Sequence, residues 1–508
     1  MPDPKHQLPE HHLRPNRGAD AFSPKQQHQT HQPDMKTKLT RLFETTGVAS
    51  ITCTLLLTCA QAADWPQYLG PNRNSTSPEK GLLRSWPPGG PEVLWTVSVG
   101  RGFGGPAVKD GKVYLLDRDD AVGDTLRCFD LATGKELWSF AYAAPGTAMF
   151  PGSRSVPTVT ESHVYTCGHN GDLYCVDLKT HQPVWHRNVW TDFGGAPNTR
   201  TAGATGPGRE RPDENIPPAA RFPMWAITQN PLIHGDRLIV ASQAPEAGVV
   251  AYDKLTGTVK WKTPSLGLIS YVSPAIVKVD GQDHVVMVTS STNPFQRVNP
   301  VDELGNVVGL APATGNVLWK YTNWHCHISV ASAVDAGDNR VLVVGGYELG
   351  ATMIQVEKQP DGSYQTRELF TTVEFGDQTK PPVLHNGHVY AQYGTNSRRE
   401  GLVCLRLDGK IMWKTRRSPD FNKGSMILAD GLILATDGER KLYLIEPDPS
   451  GFKPLASAEM FPEGAAGSGN DIAFRVGGRT QNWAPMALSE GKLLLRDQTQ
   501  LKCVKVCR

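Results

Sequence analysis

The 508-residue chain has no block of like charge: 52 Lys and Arg face 50 Asp and Glu, for a formal charge of +2. That excludes a polybasic nucleic-acid tail and a basic membrane patch. There is no P-loop, no HExxH, no paired CxxC and no G-x-S-x-G. Phosphate-cradling, zincin, thiol-redox and nucleophile-elbow chemistry therefore lack their local signatures. No two cysteines are adjacent, and the nine fall to seven once Cys53 and Cys59 are set aside with the N-terminal segment. An odd number argues against a complete disulfide framework.

Only one run is strongly apolar. Lys36, Lys38 and Arg41 precede Gly47 to Cys59, and Ala60-Gln61-Ala62 follows. A charged start, an apolar middle and an A-x-A end predict a secretory signal peptide over 35–62. Cleavage near Ala62 would start the mature chain at Ala63 and send it to the periplasm or outside the cell. Cys59 mimics a lipoprotein site, but Thr58 is a poor neighbour, so lipid anchoring is disfavoured. After cleavage no membrane span is expected. Residues 1–34 carry five His with several Gln and Pro. They read as a disordered leader or a mis-called start.

What is abundant is Gly (50), Pro (39) and repetition. One pattern appears as "DLATGKELW" (130–138), "DLKTHQPVW" (177–185), "DKLTGTVKW" (253–261), "APATGNVLW" (311–319) and "RLDGKIMW" (406–413), with a degenerate "PDPSGFKPL" (447–455). An isolated ending, "PEVLW", closes at Trp95. A second pattern, strand–turn–strand, precedes each copy, as in "GPAVKDGKVYLLD" (105–117) and "PPVLHNGHVYAQ" (381–392). It occurs eight times, with DG, NG or EG at most turns. Joined, the patterns make a four-stranded unit, and such units in series make propeller blades. The eighth copy (484–497) lacks a final strand, whereas Trp95 has a final strand and nothing before it. The expectation is an all-β, eight-bladed propeller of four-stranded antiparallel blades over 63–508. Residues 92–98 would complete the last blade and close the ring.

Within the motif, Asp130 can accept backbone N–H bonds in an Asx-type turn supported by Thr133. Gly134 supplies positive φ. The terminal Trp would dock neighbouring blades, a role expected for Trp95, Trp138, Trp185, Trp261, Trp319 and Trp413. The small residues some ten positions earlier, Cys128, Cys175, Ala251, Gly309 and Cys404, read as packing positions.

The repeat resembles the tryptophan-docking motif of the pyrroloquinoline quinone (PQQ) propeller superfamily, over nearly all of 64–508. The stretches "DWPQYLGPNRNSTS" (64–77), "GVVAYDKLTGTVKW" (248–261), "NKGSMILADGLIL" (422–434) and "LLLRDQTQLKCVKV" (493–506) are similar to exported PQQ-like propellers of planctomycete-type bacteria. The superfamily also contains quinoprotein alcohol dehydrogenases and a propeller lipoprotein of outer-membrane assembly. The resemblance implies an eight-bladed fold, and two functions. The first is a binding scaffold for an envelope protein or a small polar ligand. The second, ranked below it, is a PQQ- and calcium-dependent dehydrogenase of an alcohol or sugar. No residue of this chain can be assigned by position to quinone or calcium binding, and no catalytic residue or metal ligand is predicted.

Topology places any site. The short uniform turns share one face, and the variable connections gather on the other, around the axis. Candidate binding residues there are Arg101, Arg154, Trp225, Glu348, Tyr393, Asp437 and Asp497. The longest insertion, 191–224, reads as a solvated loop or as a lid-like segment over the axis. "HCH" at 325–327 puts two His on one face of an extended segment.

Overall fold

The computed structural model describes residues 63–201, 214–291, 305–394, 399–461 and 481–508. The leader, the signal-peptide segment and the centre of the 191–224 insertion lie outside the described residues. Eight antiparallel sheets follow one another along the chain. Blade 1 is Ala107–Lys109, Lys112–Asp119, Gly123–Asp130 and Glu136–Ala143. Blades 2 to 7 begin at Thr158, Leu232, Ala275, Val334, Val383 and Met426. Blade 8 is Ala487–Ser489, Lys492–Arg496 and Gln500–Lys505, completed by Val93–Ser98. The last pairing sets Trp95 opposite Cys503 and closes the ring. The fold is therefore an eight-bladed propeller with almost no helix.

Local chemistry explains the blades. The first hairpin turns at Asp110-Gly111, Asp280-Gly281, Asn386-Gly387, Asp430-Gly431 and Glu490-Gly491 have positive φ at both residues. That is the type I′ geometry matched to strand twist. In the opening motif, Asp130 Oδ1 accepts from Thr133 N (2.8 Å) and Thr133 Oγ1 (2.6 Å). Asp177 and Asp253 repeat the bond to Thr180 N and Thr256 N.

The tryptophans dock forward. Trp95, Trp185, Trp261 and Trp413 donate their indole N–H to the carbonyls of Leu131, Lys254, Pro312 and Asp448, at 2.8–3.0 Å. Each acceptor is the second residue of the next blade's motif. A methyl group added at Gly134 would lie 2.6 Å from the Trp95 ring, and one at Gly257 2.7 Å from that of Trp185. The motif glycine is therefore required twice, by its turn and by the preceding blade's indole. Trp138 meets His181 at that position instead and stacks on it, 4.4 Å between centroids. Blade 5 has no tryptophan there; Phe370 faces Gly409 in its place. Trp319 departs from the rule, because blade 5 offers no such turn. A buried indole hides roughly 150–250 Å², worth up to about 4–6 kcal/mol at ~25 cal/mol/Å². Within each blade the tryptophan pairs with a small residue: Cys128–Trp138, Cys175–Trp185, Ala251–Trp261, Gly309–Trp319, Cys404–Trp413. All seven described cysteines are free and buried.

The "DWPQYLGPNRNSTS" stretch is a strap across the inner strands. Trp65 exchanges backbone bonds with Val108 of blade 1, and Pro66 O accepts from Val159 of blade 2. Arg73 donates to the carbonyls of Asn230, Pro231 and Pro274 at the entries to blades 3 and 4. Thr76–Ser77 pairs in parallel with Met426–Ala429, so blade 7 has five strands. Asp430 accepts from Gly81 N and Leu82 N, and Glu79 accepts from Gly491 N of blade 8.

Candidate functional site

All eight blades converge on one cavity of about 350 Å³. Its lining follows a rule. In seven blades it includes the residue four positions before the first strand: Phe103, Arg154, Thr228, Tyr271, Val330, Thr379 and Trp483. In blade 7 it is Lys423, three positions before Met426. Tyr68 of the strap lines the cavity too. Since first strands surround the axis of a propeller, the cavity is axial.

The connections that carry these residues are held by buried polar groups. Arg496 donates to Gly100 O (2.7 Å) and Gly104 O (3.1 Å). Gln498 exchanges bonds with both backbone groups of Gly102. Together they present Phe103. Asn230 donates to Ser273 Oγ and accepts from Val156 N, tying the entries to blades 2, 3 and 4. Gln392 accepts from Gly424 N and donates to Thr436 O, fixing the backbone next to Lys423.

The walls are aromatic and cationic. Phe103 and Trp483 stack at 5.4 Å, and Trp225 meets Tyr271 edge-on at 5.3 Å. The Arg154 guanidinium lies 5.5 Å from the Phe103 ring centre, and Lys423 Nζ 5.0 Å from that of Trp483. Lys380 and Lys423 are buried, at 9% and 4% exposure. Burial pulls both ammonium groups from the usual 10.5 down to about 8. It pulls Arg154 down to about 10.

No described carboxylate lines the cavity. Asp377, next to Gln378, points its oxygens at backbone: Oδ1 accepts from Thr379 N and Lys380 N, Oδ2 from Gln392 N. Burial raises its carboxyl to about 6. Among the described residues no group of three or more His, Cys, Asp or Glu could hold a metal ion. This donor set does not fit the calcium ion that a quinoprotein reading calls for.

Of the seven sequence candidates, the structure brings Arg154 and Trp225 together at the axis. Arg101 lines a separate polar cleft with Asp117, Arg118, Asp120, Arg127 and Glu136. Tyr393 is buried in the core between blades 5 and 6. Glu348 sits exposed in a turn with φ 67°. Asp437 and Asp497 cap hairpins, accepting from Glu439 N and Lys441 N, and from Thr499 N and Gln500 N. Cys326 is buried, His325 bonds Asn323 and His327 lies against Tyr347, so "HCH" brings no ligand set together. The described flanks of the 191–224 insertion pack down, with Ala196 N on Ala220 O and Arg200 on Phe222 O and Pro223 O. Its end delivers Trp225. Sequence reading missed Lys380, Lys423, Phe103 and Trp483. Counting back four residues from each first strand finds Phe103 and Trp483, and counting back three finds Lys380 and Lys423.

The sequence model of the family described as outer membrane protein assembly factor BamB matches residues 78–209 and 123–415. The chain belongs to this family. No curated protein matches it. A europium-containing methanol dehydrogenase superposes with a TM-score of 0.52 at 13% identity, covering 85% of this chain and 89% of its own. A quinohemoprotein alcohol dehydrogenase from Pseudomonas putida HK5 gives 0.51 at 11% identity, covering 88% and 81%. BamB from Moraxella catarrhalis gives 0.49 at 11%, covering 82% and 99%. The two dehydrogenase likenesses support the PQQ-like propeller fold, and at these identities they speak to fold alone. No described helix is long and apolar enough to cross a membrane.

Proposed function

We propose that this protein is an exported binding propeller that takes a small ring-bearing ligand into its axial cavity. The observation that carries the reading is the convergence of eight blade entries on one aromatic-walled cavity, the usual form of a ligand site. Membership of a family named for outer-membrane protein assembly supports an envelope location. It also supports a second partner class, an envelope protein docking on the variable-connection face around the cavity mouth.

The alternative, a PQQ- and calcium-dependent dehydrogenase, needs carboxylates that hold calcium beside a base. The described lining offers neither, so that reading stands second. The test is a titration of the chain from Ala63 with small naphthalene-ring compounds, followed by tryptophan fluorescence. Saturable quenching that is lost in Trp483→Leu supports the cavity as a binding site. Absence of saturable binding by any of them would remove the small-molecule reading and leave the protein-docking one.

A further inference from the structure

We infer that Asn386 is a self-modification site, at which the chain converts its own side-chain amide to an acid by closing a ring with its own backbone. The reaction does not depend on what the axis binds. The chain holds two Asn-Gly pairs, and each follows a histidine: His169-Asn170-Gly171 and His385-Asn386-Gly387. In such a pair the glycine nitrogen can attack the asparagine Cγ, because the glycine has no Cβ to block the approach. The two tripeptides share a sequence, and the fold treats them oppositely.

At Asn170 every reacting group is occupied. Nδ2 donates to Ala144 O (3.1 Å) and Pro145 O (2.9 Å), and Oδ1 accepts from Asn198 Nδ2 (3.0 Å). Gly171 N, the nucleophile of the pair, donates to Gly168 O at 3.0 Å. A methyl group at Gly171 would lie 2.9 Å from Asn188 Oδ1, so the approach is crowded as well.

At Asn386 the same groups are available. The residue is exposed, and Gly387 N donates to no described acceptor. A methyl group at Gly387 would meet nothing within 4 Å. The strand before the turn, Val383–His385, is three residues long, so local opening of the hairpin costs little. Two imidazoles flank the amide. His388 Nδ1 lies 3.0 Å from Asn386 O, and since a carbonyl only accepts, that nitrogen carries the proton. The bond stabilises the charge that gathers on Asn386 O as Gly387 N loses its proton, and so activates the nucleophile. His385 Nε2 lies 3.1 Å from Nδ2, the leaving nitrogen, where it can pass on a proton.

The bond from Gly387 N to Asn386 Cγ forms, the Cγ–Nδ2 bond breaks, and the proton lost from Gly387 N leaves on ammonia. Water then opens the ring at either carbonyl, giving aspartate or isoaspartate. Aspartate places a negative charge beside the two imidazoles. Isoaspartate adds a carbon to the backbone of the turn and disturbs the His385–His388 pair that closes it.

The test incubates the intact folded protein in heavy-oxygen water and follows the peptides containing residues 170 and 386 by mass spectrometry. Heavy oxygen should enter residue 386 roughly a hundredfold faster than residue 170, because four hydrogen bonds, each worth a several-fold change in an equilibrium, must first break at Asn170. In urea the two rates should converge. His388→Gln should slow residue 386 in the folded protein by roughly tenfold, and an isoaspartyl-specific methyltransferase should label residue 386 alone. Equal rates at the two sites in the folded protein overturn the selection by the fold. No uptake at residue 386 in the folded protein, with uptake at both sites in urea, overturns the site itself. An unchanged rate in His388→Gln overturns the imidazole's part. The comparison of the two sites runs on the wild-type chain, so it stands whether or not a variant folds.

Discussion

The indole N–H of Trp319 is donated to Nδ1 of His284, 3.0 Å away in the same blade. Every other docking indole with a resolved bond reaches forward to the next blade's motif turn. Here the next blade has none, and the turn inward gives the donor a buried partner. The bond needs the Nδ1 lone pair, so His284 is neutral in the folded protein. Burial holds its pKa below the usual 6.5.

A pH dependence follows from that bond. A depressed histidine favours the folded state above its unfolded value, and the advantage shrinks as pH falls below about 6.5. Denaturant melts between about pH 7 and 5 should show a shallower decline in His284→Gln, whose amide oxygen can accept from Trp319 without titrating. Parallel curves for the two proteins would refute the role.

Glycine substitutions can separate turn strain from indole docking. Gly281 and Gly315 share φ values of 73° and 75°. A methyl group at Gly281 meets nothing, whereas one at Gly315 enters the ring of Trp261. Gly281→Ala should lose about 1–2 kcal/mol of stability, and Gly315→Ala a further 1–3 kcal/mol from overpacking. Equal losses by urea denaturation would mean that the motif glycine serves the turn alone.

The strap offers a third test. Arg73 serves three carbonyls in two blades, and its guanidinium lies 5.8 Å from the Tyr68 ring centre. Arg73→Met keeps the stem but strands those carbonyls, at a cost of about 2–4 kcal/mol. Ligand affinity at the axis should fall with it, since Tyr68 loses its support. An unchanged melting temperature would show that the strap is held elsewhere.

The lysine pair predicts behaviour at high pH. Lys380 faces Asp377 and Lys423, and Lys423 faces Arg399 and Asp377. With folded values of about 8 against 10.5 unfolded, the folded state sheds its protons first. Stability of the ligand-free protein should therefore rise from about pH 8 to 10.5 relative to a Lys380→Met, Lys423→Met double variant. A pH-independent difference between the two proteins would contradict this.

The blades were legible because their causes are local. Asp-Gly turns, alternating strands and a terminal Trp each act within ten residues, so spacing alone located all eight. Even blade 5, where Phe370 stands for Trp, was found through its first hairpin. The strap was not legible, because Trp65 and Arg73 act on residues 43 to 201 positions away and follow no period. The site was half legible. Arg154 and Trp225 stand out in the sequence as charged or aromatic residues on the right face. Asp437 and Asp497 stand out the same way, but a carboxylate that begins a tight turn is consumed by the turn's own amides. Lys380 and Lys423 have no local pattern, and their meaning arises only when eight distant entries meet.

Ring closure has a consequence for how the chain reaches this state. The strand that carries Trp95 pairs with Gln500–Lys505, some four hundred residues later. Until those residues are in place, Val93–Ser98 is an unpaired edge and blade 8 a three-stranded stub. The four antiparallel strands of each of the other seven blades are neighbours in sequence, whereas the join is a long loop closure with the entropy cost that such non-local pairing carries. An unjoined ring also has no complete axis. The cavity is therefore a property of the finished circle, absent from any arc of it.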